Sequence, residues 1–282
     1  MSETWPASVV LTGATSGIGL AAARLLAARV QTLVLHGPEP AEQVHEQVQR
    51  LRQGARAQVH YVQADFTSLR QVTAAAHRIA DLVGGPDGGL DALVNNAGVP
   101  GARTRQLTAD GFERTWQVNH LSPTLLTRLL LPVMGRGSRI VNVGSTTHRM
   151  ATLSLDDPDL EHGYDPVRAY ARSKLAIVAG SAELARRLEE RGIDVVSISP
   201  GVISTSLLHA MFDTGGADVE HGARRLVEAL VRPVRSGSYV DDGRVVQASA
   251  EARDPAVQER LARLTERQLE RVTRTTPAGA PA

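Results

Sequence analysis

The sequence predicts an α/β protein: a doubly wound fold with a parallel sheet of about seven strands and helices on both faces. Three observations predict it. Short β-branched runs alternate with longer amphipathic stretches along nearly the whole chain. The runs stop at turn or polar residues, as at Thr12-Gly13, His36-Gly37-Pro38, Asp65 and Asn95-Asn96. The first run also feeds a Gly-rich turn that opens directly into a helical pattern. No repeat or compositional break divides the chain, so residues 1–282 read as one domain.

The first strand is Ser8-Val9-Val10-Leu11, followed by Thr12-Gly13-Ala14-Thr15-Ser16-Gly17-Ile18-Gly19. Leu20, Ala23, Leu26 and Ala27 then fall on one helical face. Glycines permit positive φ and let the backbone approach a pyrophosphate, which rests on the helix's unpaired N–H groups. A lone glycine triad often marks only a tight turn; strand before and helix after give it meaning. Strand two covers 32–35, and an amphipathic helix 41–52. A third strand covers 57–63, ending at Asp65. A helix covers 68–83, and 84–89 is a loop by composition. A fourth strand, 90–94, ends in Asn95-Asn96-Ala97-Gly98. Ligands on such sheets bind beyond the carboxyl ends of the strands, where all these turns fall.

A helix over 109–131 carries Asn119 in its middle, and strand five, 139–143, ends just before Ser145. Residues 146–168 have no steady period. Their Asp156, Asp157, Asp159 and Glu161 lack a metal-liganding spacing, so they read as a solvated loop and no metal site is assigned. A helix over 169–190 holds Tyr170 and Lys174. Strand 194–198 and Pro200-Gly201 follow. Residues 205–216 mix Leu207, Leu208, Met211 and Phe212 with a glycine pair, as a mobile flap over a substrate would. A helix over 219–231 and a last strand at 238–240 come next. Asp254 as cap with Pro255 begins a final helix to 274. By composition 275–282 is expected to be disordered. The loops 146–168 and 202–218 form the substrate side.

Composition excludes several classes. Net charge is +1 with no long single-sign run, which argues against nucleic acid or an anionic membrane surface as partner. Aromatics are 3%, too few for base-stacking platforms, and there is no Cys for a disulfide, thiol nucleophile or iron–sulfur site. Residues 1–6 lack a basic start followed by an apolar run, and no stretch approaches a membrane span, so a soluble cytoplasmic protein is expected.

Among 31 Lys plus Arg, Lys174 is the single Lys. It stands one helical turn after Tyr170, so the two share a face. An ammonium is a compact point charge with three donors to aim, where a guanidinium is a broad fork. Bringing a phenol from a pKa of about 10 to near 7 takes roughly 4 kcal/mol. A unit charge at about 4 Å supplies that at an effective dielectric of 20 but not in bulk water, so the pair needs a dewatered cleft.

In this order the motifs resemble the short-chain dehydrogenase/reductase family and its Rossmann fold, most closely the retinol-dehydrogenase-like branch. They are Thr12-Gly13 with Gly17-Ile18-Gly19, Asn95-Asn96-Ala97-Gly98, Ser145, Tyr170 with Lys174, then Pro200-Gly201 and Thr205. The long Ser145-to-Tyr170 gap, Gly163-Tyr164-Asp165-Pro166, and Ala252-Arg253-Asp254-Pro255 with its closing helix look like that branch. The resemblance implies that Tyr170 is the general acid/base, that Lys174 lowers its pKa and bonds the nicotinamide ribose, and that Ser145 donates to the substrate oxygen. Asn119 would interrupt its helix to hold a water in a proton path. Gly13, Thr15, Ser16, Gly17, Ile18, Gly19, His36, Asp65, Phe66, Asn95, Ala97, Gly98, Pro200, Gly201, Val202 and Thr205 would join Tyr170 and Lys174 around the dinucleotide. Asp65 would hold the adenine. Tyr164, a rival acid/base, has Arg168 at the matching offset with Pro166 breaking the helix between them, and reads as a loop residue near the substrate pocket.

Two features depart from the family. Gly37 and Pro38 stand where it carries Asp for an NAD ribose or Arg for the NADP phosphate, and the flanking His36 and Glu39 would oppose one another. With no carboxylate at Gly37, and by likeness to the branch, NADP(H) is favoured over NAD(H). Val30 replaces a common turn glycine and is expected to distort the helix-to-strand connection. The function expected is reduction of a ketone, or more generally interconversion of a carbonyl and an alcohol, on a hydrophobic small molecule. The alternatives are a dinucleotide-binding regulator and an isomerase or dehydratase that returns the hydride. The helices over 109–131 and 169–190 leave a homo-oligomer open.

Overall fold

In a computed structural model, residues 4–84, 89–211 and 215–275 are described. Phe212, most of the 84–89 loop and nearly all of the 275–282 tail lie outside them. The elements in order are β1 (Ser8–Thr12), α1 (Gly17–Ala27), β2 (Thr32–Gly37), α2 (Ala41–Gln53), β3 (Gln58–Gln63), α3 (Leu69–Val83), β4 (Ala92–Asn95) and α4 (Arg114–Trp116). A π-turn (Gln117–Leu121) leads into α5 (Ser122–Leu130), then β5 (Arg139–Val143), a 3-10 turn (Thr146–Met150), α6 (Pro166–Arg187) and β6 (Asp194–Ser199). The chain closes with α7 (Ser206–Met211), α8 (Val219–Val231), β7 (Tyr239–Asp241), β8 (Arg244–Val246), α9 (Ala250–Arg253) and α10 (Pro255–Thr275).

The sheet order is β3-β2-β1-β4-β5-β6-β7-β8, parallel except for the β7–β8 pair. The direction of winding reverses between β1 and β4, which opens a crevice at their carboxyl ends. Strands buried on both faces read as unbroken apolar runs because each face has its own core. Val9 and Leu11 of β1 join Leu26, Val48 and Leu226 on one side, while Val10 joins Ile79, Trp116 and Leu175 on the other.

The eighth strand was not expected. Its signal is Asp242-Gly243, with φ of 43° and 78°, the positive pair that a two-residue hairpin turn needs. The helix expected from 109 starts only at Arg114. Gly111 turns the chain at φ 82°, Leu107 bridges Glu113, and the Glu113 carboxylate then caps Thr115 and Trp116. The Asn119 helix is interrupted as expected, by the π-turn, and Pro123 has no N–H to return to the Asn119 carbonyl four residues back. Pro166 starts α6 rather than breaking a helix, since a first-turn proline loses no bond, and Asp165 caps it. Val30 distorts nothing: it is buried in the core and its N–H bonds Leu26 O.

Candidate active site

The crevice is built from the end of β1. Thr12 Oγ1 accepts from the N–H groups of Asn96 and Ala97, and Asn96 Nδ2 donates to the carbonyls of Thr12 and Gly13. These bonds stitch β1 to β4 and hold the glycine loop open. Gly13 has φ 64°, and a Cβ on it would stand 2.7 Å from Ala97 Cα; a Cβ on Gly19 would stand 1.9 Å from Gly13 O. Ser16 makes no side-chain capping bond at the start of α1, so the first-turn N–H groups are left for an anion. The cleft has a volume of about 760 Å³ and its wall includes Gly13, Thr15, Ser16, Gly17, Ile18 and Gly19. A pyrophosphate fits this cradle.

The expected assignment of Asn95 is corrected. It is the last residue of β4, and successive strand side chains point to opposite faces. Its Nδ2 donates to Thr127 Oγ1 and Asn142 Oδ1, and it lines a separate cavity of about 430 Å³ between α5, α6 and α10. Asn96, Ala97 and Gly98 line the cleft instead.

At the far end of the cleft stand His36, Asp65 and Phe66. The His36 ring stacks on Phe66 at 4.2 Å between centroids, and its Nε2 bonds Ala64 O. Burial pulls its pKa down to about 4, so the imidazole is neutral. Asp65 Oδ1 accepts from Thr67 N. Pro38 and Glu39 also line this end.

Tyr170, Lys174 and Ser145 meet at the other end. Lys174 Nζ lies 5.5 Å from the Tyr170 ring centroid and donates to Val143 O at 2.8 Å, which leaves two of its protons to aim elsewhere. The Tyr170 phenol is close enough to the Ser145 side chain for that hydroxyl to act on its pKa, and Ser145 Oγ accepts from Thr147 N. Asn119 pairs both its amide atoms with the backbone of Val99 and donates to Ser173 Oγ, which in turn donates to Tyr170 O. Gly98 keeps a gap between the groups: a Cβ there would lie 3.4 Å from Asn119 Oδ1 and 3.5 Å from Lys174 Nζ.

The electrostatics differ from the sequence argument. Burial pushes the Tyr170 phenol up to about 12, against the neighbouring Ser145 side chain that lowers it, and burial pulls the Lys174 ammonium down to about 8. In the free protein the ammonium therefore titrates before the phenol. Burial of the phenol outweighs what its neighbours offer, so a further positive charge in the cleft is needed to bring its pKa toward neutrality.

The chain after β6 forms a further wall of the cleft. Pro200, Gly201, Val202, Thr205, Leu207 and Leu208 border the cleft, and Thr205 Cγ2 lies 3.8 Å from a Cβ position on Gly17. Ser204 bonds both polar backbone atoms of Gly216, clamping the base of the flap. Tyr164 is not at the cleft: its hydroxyl donates to Ala102 O. Asp157 and Asp159 accept backbone N–H bonds from Glu161, His162 and Glu113, as a solvated loop would.

Two residues near the site were missed. His148 Nδ1 bonds Ser145 O at 2.7 Å, while Nε2 accepts from Ser249 N, which ties Ser145 to the start of α9. Arg172, buried against Trp116, donates to the carbonyls of Asp157 and Pro158 and pins the 146–168 loop. The Arg inside Ala169-Tyr170-Ala171-Arg172-Ser173 was the available signal for the second. The first had none.

Residues 7–215 match the family model described as short chain dehydrogenase. The chain belongs to the short-chain dehydrogenase family. Relatives place this short-chain dehydrogenase in the retinol-dehydrogenase-like branch. It is 38% identical to polyprenol dehydrogenase of Mus musculus, over 89% of this chain and 80% of that one. It is 33% identical to retinol dehydrogenase 11 of Homo sapiens, over 90% and 82%. An uncharacterized protein from Mycobacterium paratuberculosis superposes with a TM-score of 0.77 at 30% identity, covering 93% of both chains. A blue fluorescent protein from a metagenomic library, solved with NADPH, gives 0.65 at 28% identity over 83% and 95%. This short-chain dehydrogenase is an NAD(P)-dependent oxidoreductase.

Proposed function

We propose that the chain interconverts an alcohol and a carbonyl on a hydrophobic small molecule, ketone reduction included, with Tyr170 as general acid/base. A bound nicotinamide would supply or accept the hydride. Tyr170 would pass a proton to or from the substrate oxygen, with Ser145 donating to that oxygen as charge grows on it. Lys174 would orient the ribose, and the charge of an oxidised nicotinamide would bring the phenol down from its free value. Asn119 would hold the Val99 backbone and the helix geometry beside Lys174.

The observation that carries this reading is the cluster of Ser145 with the buried Tyr170 and Lys174 on the wall of the cleft that the glycine cradle opens. A hydrophobic substrate is supported by Met150 and Val202, which line the same cleft while 65% and 54% exposed, and by Leu207 and Leu208 of the flap. Relatives named for polyprenol and retinol fit the same class. NADP(H) is favoured by likeness to the branch and by the missing carboxylate at Gly37, but Glu39 supplies a carboxylate two residues further on.

Wild type and Tyr170→Phe should be compared across alcohol and carbonyl panels by nicotinamide absorbance. Turnover in wild type falling by several orders of magnitude in the variant is expected. A wild type that binds dinucleotide and turns over nothing would sink the proposal.

A further inference from the structure

We propose that Glu39 selects the unphosphorylated dinucleotide, NAD(H), by accepting the adenosine ribose hydroxyls in place of the side chain that Gly37 lacks. The inference rests on the cleft being a dinucleotide site.

Position 37 has no room for a selector of its own. A Cβ there would stand 2.5 Å from Thr15 Cγ2, 2.7 Å from Glu39 Oε2 and 3.0 Å from the Tyr61 hydroxyl. The glycine is needed for space, since its φ is not among the positive ones. After it the chain turns at Pro38 and brings the Glu39 carboxylate back over Gly37. Tyr61 donates its hydroxyl to the Glu39 carbonyl at 2.7 Å and fixes the backbone of that return. The carboxylate thus arrives from two residues downstream of where it is missing.

Glu39 Oε2 is buried and has no hydrogen-bond partner, although the residue forms part of the cleft wall. A buried carboxylate oxygen without a donor is costly, and a ribose diol offers two hydroxyl donors. A 2′-phosphate offers none when ionised and adds like charge against the carboxylate.

The opposing basic group is silent. His36 is the other ionisable residue flanking Gly37, but it is buried under Phe66, spends Nε2 on Ala64 O, and is neutral at physiological pH. Two charged residues besides Glu39 and Asp65 line the cleft. Lys174 is at the Tyr170 end, and Arg114, at the start of α4, acts on Tyr164 outside the cleft. Among the described cleft residues after β2 and β3, which are His36, Pro38, Glu39 and Ala64 to Thr67, there are two carboxylates and no charged cation. The pair that cancelled on paper therefore does not cancel in the fold.

The test is calorimetric binding to the intact protein, with NAD+ and NADP+ and with the fragments AMP and 2′,5′-ADP, none of which requires turnover. Wild type is expected to bind NAD+ at least about 30-fold tighter than NADP+, or roughly 2 kcal/mol, and AMP tighter than 2′,5′-ADP. Glu39→Gln should bring the two dinucleotides within a few-fold of one another, and Glu39→Arg should reverse the order. Position 39 is half-exposed, so both variants should fold, which thermal unfolding checks. Equal or tighter NADP+ binding in wild type, or a ratio unchanged in Glu39→Gln, overturns the assignment while leaving the dinucleotide site intact. Binding of neither dinucleotide overturns both.

Discussion

The Lys174 ammonium lies 5.5 Å from the centre of the Tyr170 ring, one helical turn along α6, and both side chains are buried. Proximity alone does not activate the phenol. Desolvation acts on both partners, raising the acid's pKa and lowering the base's, so the pair is poised for a third charge rather than already switched on.

This gives a titration. All four tyrosines are shifted up: Tyr170 and Tyr239 to about 12, and Tyr61 and Tyr164 in the same direction, with burial the leading cause each time. Tyrosinate absorbance of the free protein should therefore begin to rise only above about pH 10. With oxidised dinucleotide bound, one phenol should come down, and Tyr170→Phe should remove that component. A phenolate already present near neutral pH in the free protein would show this account to be mistaken.

Gly19→Ala tests the cradle. Its Cβ would meet Gly13 O at 1.9 Å, a backbone atom that cannot rotate away. Dinucleotide affinity should drop at least 100-fold and stability by about 2 kcal/mol or more. Gly180→Ala is the control: nothing lies within 4 Å of the added atom, and in the middle of α6 it should stabilise by about 0.5–1 kcal/mol. Thermal unfolding of the two variants separates a local clash from a general intolerance of change.

His148 is expected to act as a positioning residue for Ser145. Because its Nε2 accepts from Ser249 N, its proton sits on Nδ1 and is donated to Ser145 O. His148→Phe should lower kcat by roughly tenfold to 100-fold with KM and dinucleotide affinity little changed. His148→Gln, which can still donate to that carbonyl, should recover part of the loss. A proportionate change in KM alone would assign His148 to packing.

Acid should destabilise the fold through two histidines. Burial lowers His36 from 6.5 to about 4 and His120 to about 3. Below 6.5 the unfolded chain takes up protons that the folded chain refuses, so their stabilisation is complete above that value and is lost as pH falls. Between pH 7 and pH 5 each should remove about 2 kcal/mol. Urea denaturation at the two pH values checks it, and His120→Asn should shallow the slope. An unchanged midpoint would mean that these rings reach water.

Much of the fold was legible in the chain because it depends on local chemistry. Strand and helix periods, the capping Asp254, and the turns after β1 and β4 read directly from side-chain type and spacing, whereas the Asp165 cap and the start of α6 at Pro166 did not. The lone Lys174 was informative because a fully dewatered place beside a phenol suits an ammonium and not a guanidinium. The interrupted Asn119 helix had its mark in Pro123, and the missed hairpin had one in Asp242-Gly243.

What only the tertiary structure decided concerns direction and burial. Asn95 and Asn96 are neighbours in sequence, yet strand alternation sends one to the α5–α6 cavity and the other to the glycine loop. His36 and Glu39 carry opposite formal charges beside Gly37, and burial silences the first while leaving the second unpaired. The same holds for Tyr170 and Lys174, whose proximity the sequence supplied and whose pKa values it did not. Proton affinity depends on water excluded by residues distant in the chain, and no local pattern encodes that.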